Sequence, residues 1–184
     1  LVEKIQKKYK HVNPLLLLYE KVEKQNWNKE WEKNVEPINV DGKVLVRAAF
    51  HDADKSIPME IVITPKMSFG TGHHQTTYLM LRGQLALDHK GKHVMDAGCG
   101  TAILSIMAAK LGASSVEAFD IDEWSVENGQ ENIEVNNTPA VSIRLGTVRS
   151  HSFSGSFDII LANINKNILL DEMEIYVSHL SPAG

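Results

Sequence analysis

A chain of 184 residues, 43% of them hydrophobic, is long enough for one domain plus a smaller piece, and no apolar run approaches the ~18–20 residues of a membrane span. The formal net charge of −4 gives no overall basic footprint for nucleic acid, and the eight Lys and six Glu of residues 1–36 read as a solvated face. A lone Cys99 forms no intrachain disulfide and suits a reducing cytoplasm, and the charged start Leu1–Lys10 does not read as a signal peptide.

Leu1, Val2, Ile5 and Tyr9 sit at helical spacing and predict the end of an amphipathic helix that begins earlier in a parent protein; Asn13-Pro14 breaks it and Leu15–Val22 reads as a strand. Trp27 and Trp31 lie at i and i+4 on one helical face, an anchor for a linker helix or else a partner surface. Val40-Asp41-Gly42-Lys43, between alternating apolar residues, signals a type I′ hairpin. With a further strand at Glu60–Thr64, Pro37–Thr64 is expected to be a small antiparallel sheet. The loop from Phe69 to Thr77 combines two glycines, several hydroxyls and His73-His74, and a helix is expected from about Thr77 to Leu87. No Cys, Asp or Glu stands at ligand spacing in that loop, so no metal is expected.

From His93 the pattern alternates: strand 93–97, helix 101–111, strand 116–120, helix about 123–135, strands 141–145 and 157–162, helix 167–180. This is the order of a doubly wound parallel α/β sheet with ligands at the C-terminal strand ends. The second helix is weakened by Gly129, at a cost of ~1 kcal/mol relative to alanine. The last carries Leu169, Met173, Tyr176, Val177 and Leu180 on one stripe, and Ser181–Gly184 is a turn expected to feed another strand beside 157–162.

The stretch His93–Ala102 reads strand, acid, glycine turn, helix: Asp96 ends an apolar strand, Gly98 and Gly100 make the turn, and backbone N–H groups gather at the helix start. Asp120, closing the next strand, suits the two hydroxyls of a ribose. The dinucleotide form G-x-G-x-x-G is not met, because its third glycine position is Ile103. Cys99 reads as a small buried filler, Asp122 as the cap of the next helix, and Asn163 as the polar end of a buried strand beside the glycine turn.

The D-x-G-x-G form resembles the first motif of class I S-adenosylmethionine-dependent methyltransferases, whose sheet is Rossmann-like. Four stretches together resemble the PrmA family, the bacterial methyltransferases of large-subunit ribosomal protein eleven: F-G-T-G-H-H-Q-T-T, D-A-G-C-G-T-A-I-L-S-I, F-D-I-D-E-W-S-V and L-A-N-I-N-K-N-I-L-L. The resemblance implies S-adenosylmethionine as cofactor and S-adenosylhomocysteine as product. It implies cofactor contacts from Thr77, Asp96, Gly98, Gly100, Asp120, Ile121 and Asn163, with Phe69, Gly70, Thr71, Gly72 and His74 closing over the methionine end as a lid. Asn163 is the expected catalytic residue, aiming a neutral amine at the methyl group. The substrate implied is the α-amino group and lysines of a ribosomal protein, methylated in the cytoplasm by a monomer without nucleic acid or membrane.

The chain departs from the family at Ala102, where a third glycine is usual, at Gln75 for a common proline, at Pro182-Ala183-Gly184 for a Pro-Gly-Gly turn, and at Gly146-Thr147, where many methyltransferases place an Asp near adenine. The expected organisation is residues 1–35 as the tail of a substrate-recognition domain with its linker, then 36–184 as a methyltransferase domain truncated at its C-terminal strands. The alternatives are a methyltransferase of another protein or small molecule, and a cofactor-binding module without activity.

Overall fold

The computed structural model describes residues 36–64, 75–153, 155–182 and 184. The chain divides into two units, 1–35 and Glu36–Gly184. The first lies outside the described residues, and with it the helix, strand and tryptophan pair expected there. Phe69, Gly70, Thr71, Gly72, His73 and His74 also lie outside them.

Three short strands come first: β1 (Ile38–Val40), β2 (Val44–Arg47) and β3 (Met59–Val62). β1 and β2 pair antiparallel around the turn read from the sequence. Asp41 and Gly42 both take positive φ, 52° and 68°, as the two central positions of a type I′ turn require, and Lys43 N–H donates to Val40 O at 3.0 Å. The expectation of an antiparallel sheet fails at the third strand, which pairs parallel to β2. Residues 48–58 carry the chain back to the start of β2, so β3 runs alongside it. Met59 N–H donates to Lys43 O at 3.2 Å and Ile63 N–H to Arg47 O at 2.8 Å.

The remainder alternates helix and strand: α1 (Gln75–Gln84), β4 (His93–Ala97), α2 (Ile103–Lys110), β5 (Ser115–Asp120), α3 (Glu123–Val135), β6 (Val141–Leu145), β7 (Ile159–Ala162) and α4 (Lys166–His179). The second sheet is parallel, in the order β6-β5-β4-β7. The chain therefore steps outward from β4 to β6 and then crosses to the other side of β4. That reversal makes the C-terminal ends of β4 and β7 the switch point at which ligands bind in open α/β sheets.

One apolar core runs through both sheets. Val40, Val44 and Ile61 of the small sheet, Leu81 of α1, Ile103, Ile106 and Met107 of α2, and Val94 and Val116 of the parallel sheet all belong to it. The opposite sheet face holds a second cluster, with Met95, Phe119, Phe157 and Tyr176. The apolar stripe predicted for α4 is corrected here. Tyr176 is buried and Leu169 partly so, but Met173 and Val177 face solvent, and Glu172 takes an inward position. The last predicted strand is shorter too: Phe157 makes only an isolated parallel bridge, to Leu180. Among the described residues no helix is long and apolar enough to cross a membrane.

Candidate cofactor site

At the switch point, β4 ends in Asp96-Ala97 and passes into the turn Gly98–Thr101. Gly98 and Gly100 have φ of +64° and +53°, and Ala102, the N-cap of α2, follows with φ +61° and ψ 19°. The backbone at Ala102 is thus left-handed rather than helical, which costs a residue with a Cβ about 1–2 kcal/mol. Its methyl is fully buried in the first core.

The turn is fastened to the end of β5. Gly98 and Cys99 N–H both donate to Phe119 O, at 2.9 and 3.1 Å, and Gly100 N–H donates to Asp120 Oδ2 at 2.9 Å. These amides are spent on protein acceptors, so the turn is no free anion cradle of the kind that binds pyrophosphate. A ligand without phosphate suits it better. Gly98 is required by packing, since a Cβ there would collide with the side chain of Ile164 from the β7–α4 connection.

Asp120 holds both ends of its strand connection. Its Oδ2 takes Gly100 N–H and its Oδ1 takes Asp122 N–H at 3.0 Å, which fixes the carboxylate at the crevice. Ile121 follows, 71% exposed at the same rim. Asp122 is the N-cap of α3; its carboxylate accepts from Ser125 Oγ at 3.0 Å rather than from a helix amide.

Asp96 lies completely buried under the turn, and Ser105 Oγ donates to its Oδ2 at 2.5 Å. Its Oδ1 is buried and has no hydrogen-bond partner among the described residues. Burial pushes its carboxyl up to about 6, against the pull of the Ser105 hydrogen bonds. An orphaned carboxylate oxygen of this kind suits a cationic amine. Burial, with Asp96 and Asp120 adding to it, also raises the Cys99 thiol well above its ordinary value, so Cys99 is a protonated filler and no nucleophile.

Across the switch point, Asn163 follows β7, which pairs with β4 as far as Ala97 and Ala162. Its Nδ2 donates to Oγ1 of Thr77 at 3.3 Å, and Thr77 is fully buried near the start of α1. In this orientation Oδ1 is left as an acceptor. The structure therefore brings Asp96, Gly98, Gly100, Asp120, Ile121, Thr77 and Asn163 to one end of the sheet. Among the described residues no group of three or more His, Cys, Asp or Glu side chains could hold a metal ion.

The sequence reading missed two features. Ser105, the partner of Asp96, sits inside the quoted A-I-L-S-I run but was given no role. The sequence reading also assigns nothing to Asn128 and Asn132 of α3 or to Asn136 at its C-cap, four residues apart on one face; their spacing is the available signal. Gly129 is no defect: a Cβ there would lie 2.7 Å from Ile143 Cδ1 of β6 and only 3.2 Å from Gly100 O, so its absence lets the helix pack closely on the sheet and the turn.

A parallel sheet in this order, with an acid, a glycine turn and a second acid at its switch point, is the fold of the class I methyltransferases. The family described as ribosomal protein L11 methyltransferase (PrmA) matches residues 1–184, and the chain belongs to it. A ribosomal protein L11 methyltransferase from Porphyromonas gingivalis is 51% identical over 160 residues, covering 86% of this chain and 55% of that protein. One from Bacteroides thetaiotaomicron is 45% identical over 167 residues, covering 90% and 60%. The solved structure of a ribosomal protein L11 methylase from Lactobacillus delbrueckii subsp. bulgaricus superposes with a TM-score of 0.72 at 32% identity, covering 80% of this chain and 75% of that one. The chain thus spans little more than half the length of the curated relatives it matches.

Proposed function

We propose that this chain is the cofactor-binding part of an enzyme that methylates amino groups of ribosomal protein L11, with S-adenosylmethionine as donor. The observation that carries this reading is the pairing of Asn163 with Thr77 beside the glycine turn, in a chain of this family. Bound there, the cofactor supplies an electrophilic methyl group on a sulfonium. Asp120 would take the ribose hydroxyls, Ile121 one face of the adenine, and Asp96 the amine end, with Gly98 and Gly100 shaping the wall between them. Phe69, Gly70, Thr71, Gly72 and His74 are proposed as contacts to the methionine end on the family resemblance alone.

The work left to the chain is orientation. An amine has a pKa near 10.4 in water and must reach the crevice neutral, which desolvation favours. Asn163 Oδ1 then accepts one N–H of that amine and directs its lone pair. Thr77, buried and bonded to Nδ2, holds the amide in the necessary rotamer. In-line displacement of a good leaving group requires little more than alignment, which is consistent with a site without a strong base. Residues 1–35 are proposed as the tail of a substrate-recognition domain and 36–184 as the catalytic domain, acting as a monomer in the cytoplasm on protein rather than nucleic acid.

The test is mass spectrometry of ribosomal protein L11 after incubation with the full-length protein and S-adenosylmethionine. Mass increments of one methyl group on the α-amine and lysines are expected, and an Asn163→Ala variant should lose them. An unmodified substrate beside a cofactor-binding protein would overturn the assignment of substrate.

A further inference from the structure

We propose that Asn132 is a positioning residue for the cofactor, because one buried side-chain amide ties the glycine turn to the end of the small sheet. This rests on the reading of the switch point as a methyltransferase cofactor site. Its Nδ2 donates to Thr101 O at 3.0 Å, and its Oδ1 accepts Thr64 N–H at 2.8 Å. Asn132 is fully buried, and its bond to Thr101 O is shielded from water.

Asn132 is the middle rung of a ladder. Asn136 Oδ1 accepts Val62 N–H at 2.9 Å and its Nδ2 donates back to Val62 O at 2.6 Å, while Asn128 Nδ2 donates to Thr64 O at 3.3 Å. Residues 128, 132 and 136 are one helical repeat of four apart, and 62 and 64 are one strand repeat of two apart. Four helical residues rise about 6 Å and two strand residues about 6.6 Å, so helix amides at that spacing meet alternate residues of a strand edge. The helix stands in for a neighbouring strand. Along β3 and the two residues after it, the Met59 and Ile63 amides face Lys43 O and Arg47 O on one side, and the Val62 and Thr64 amides face the asparagines on the other.

The rungs differ in what they reach. Asn136 bonds β3 and the backbone of its own helix, at Asn132 O. Asn132 alone of the two also bonds the turn that Asp120 holds from the other side. Gly129, one residue after Asn128, brings the helix close to Gly100 and Ala102. Ordering of the turn by a ligand is therefore coupled to Thr64 through the Asn132 side chain, and displacement of that side chain loosens the turn. Asn132 touches no reacting atom; it acts through Thr101.

The experiment compares the chain with its Asn132→Ala and Asn136→Ala variants by titration calorimetry with S-adenosylhomocysteine and by thermal unfolding. Both variants should unfold at lower temperature. The affinity of Asn132→Ala should fall at least tenfold, while that of Asn136→Ala stays within twofold of the parent. In the unsubstituted chain the same ligand should slow hydrogen exchange at the Thr64 amide as well as in the turn, a readout that survives if a variant does not fold. Equal affinities in parent and Asn132→Ala, a matching loss in Asn136→Ala, or protection confined to the turn would overturn the proposal. No binding by the parent would remove the cofactor site and this inference together.

Discussion

The two faces of the parallel sheet are built on different principles. On one, α2 and α3 lie over Val94, Val116, Val141 and Leu161 in an apolar core shared with the small sheet. On the other, the strands carry a row of polar side chains across the sheet: His93 Nε2 meets Glu117 Oε1 at 3.1 Å, and Arg144 Nη2 meets Glu117 Oε2 at 3.6 Å. The helix on that side carries a buried polar pair of its own, with Tyr176 donating its hydroxyl to Glu172 one turn earlier at 2.6 Å. Burial and that contact hold the Tyr176 hydroxyl well above its ordinary value. Outward, α4 exposes Ile168, Leu170, Met173 and Val177. The first face owes its stability to area removed from water; the second depends on a few aromatic contacts and directional bonds. The proposed cofactor site lies at the ends of β4, β5 and β7.

The largest expected effect falls on the first face. Ile106→Ala, at a fully buried position of α2, should destabilise the fold by about 2–5 kcal/mol in denaturant unfolding, the cost of transfer plus a cavity. A loss under about 1 kcal/mol would mean that the core there can collapse around the gap.

Next comes the crevice itself. Asp120→Ala should weaken S-adenosylhomocysteine binding by roughly 1.5–3 kcal/mol, the scale of a hydrogen bond to a charged group. Because Gly100 and Asp122 lose their acceptor as well, unfolding should also come earlier. Unchanged affinity in calorimetry would exclude Asp120 from the ribose.

On the second face, Tyr176→Phe should cost about 1–2 kcal/mol by leaving Glu172 buried with a lost donor. Little change in the unfolding midpoint would show that this face is held by apolar contact after all.

A pH experiment isolates the carboxylate beneath the glycine turn. With its carboxyl raised from 3.8 to about 6, folded Asp96 keeps a proton that the unfolded chain releases. Stability from this group therefore falls as pH rises through 3.8 to 6 and is regained on acidification. Between pH 7 and pH 5 the gain is about 1.4 kcal/mol. Buried His89, whose imidazole is held below its ordinary value chiefly by desolvation, has the opposite sign, since it must stay neutral while the unfolded chain protonates. The difference between the parent and Asp96→Asn isolates the carboxylate: the increment should vanish in the variant, and its persistence would place the titration elsewhere.

The smallest effect belongs to the exposed side of α4. Leu170→Ser should change stability by no more than about 0.5 kcal/mol, the range of surface substitutions away from special features. A larger loss in unfolding would show that this face is covered in solution.

Local sequence alone determined the α/β alternation, because hydrophobic period and glycine punctuation report on short stretches of backbone. The strand His93–Ala97, the helix Glu123–Val135 and the Asp41-Gly42 turn lie where the pattern put them. The acids at 96 and 120, the glycine turn and Asn163 were legible for the same reason, each at the end of a strand with a clear apolar run.

Only the tertiary structure decided the rest. The parallel pairing of β3 depends on the path of residues 48–58, which no periodicity records. Which of two apolar stripes of α4 turns inward depends on the partner surface, and Glu172 entered because Tyr176 could satisfy it. The three asparagines of α3 gain their meaning from a strand more than sixty residues earlier. A polar side chain in a helix is a solvent group until something distant supplies its donor and acceptor, and that distance lies beyond any local pattern.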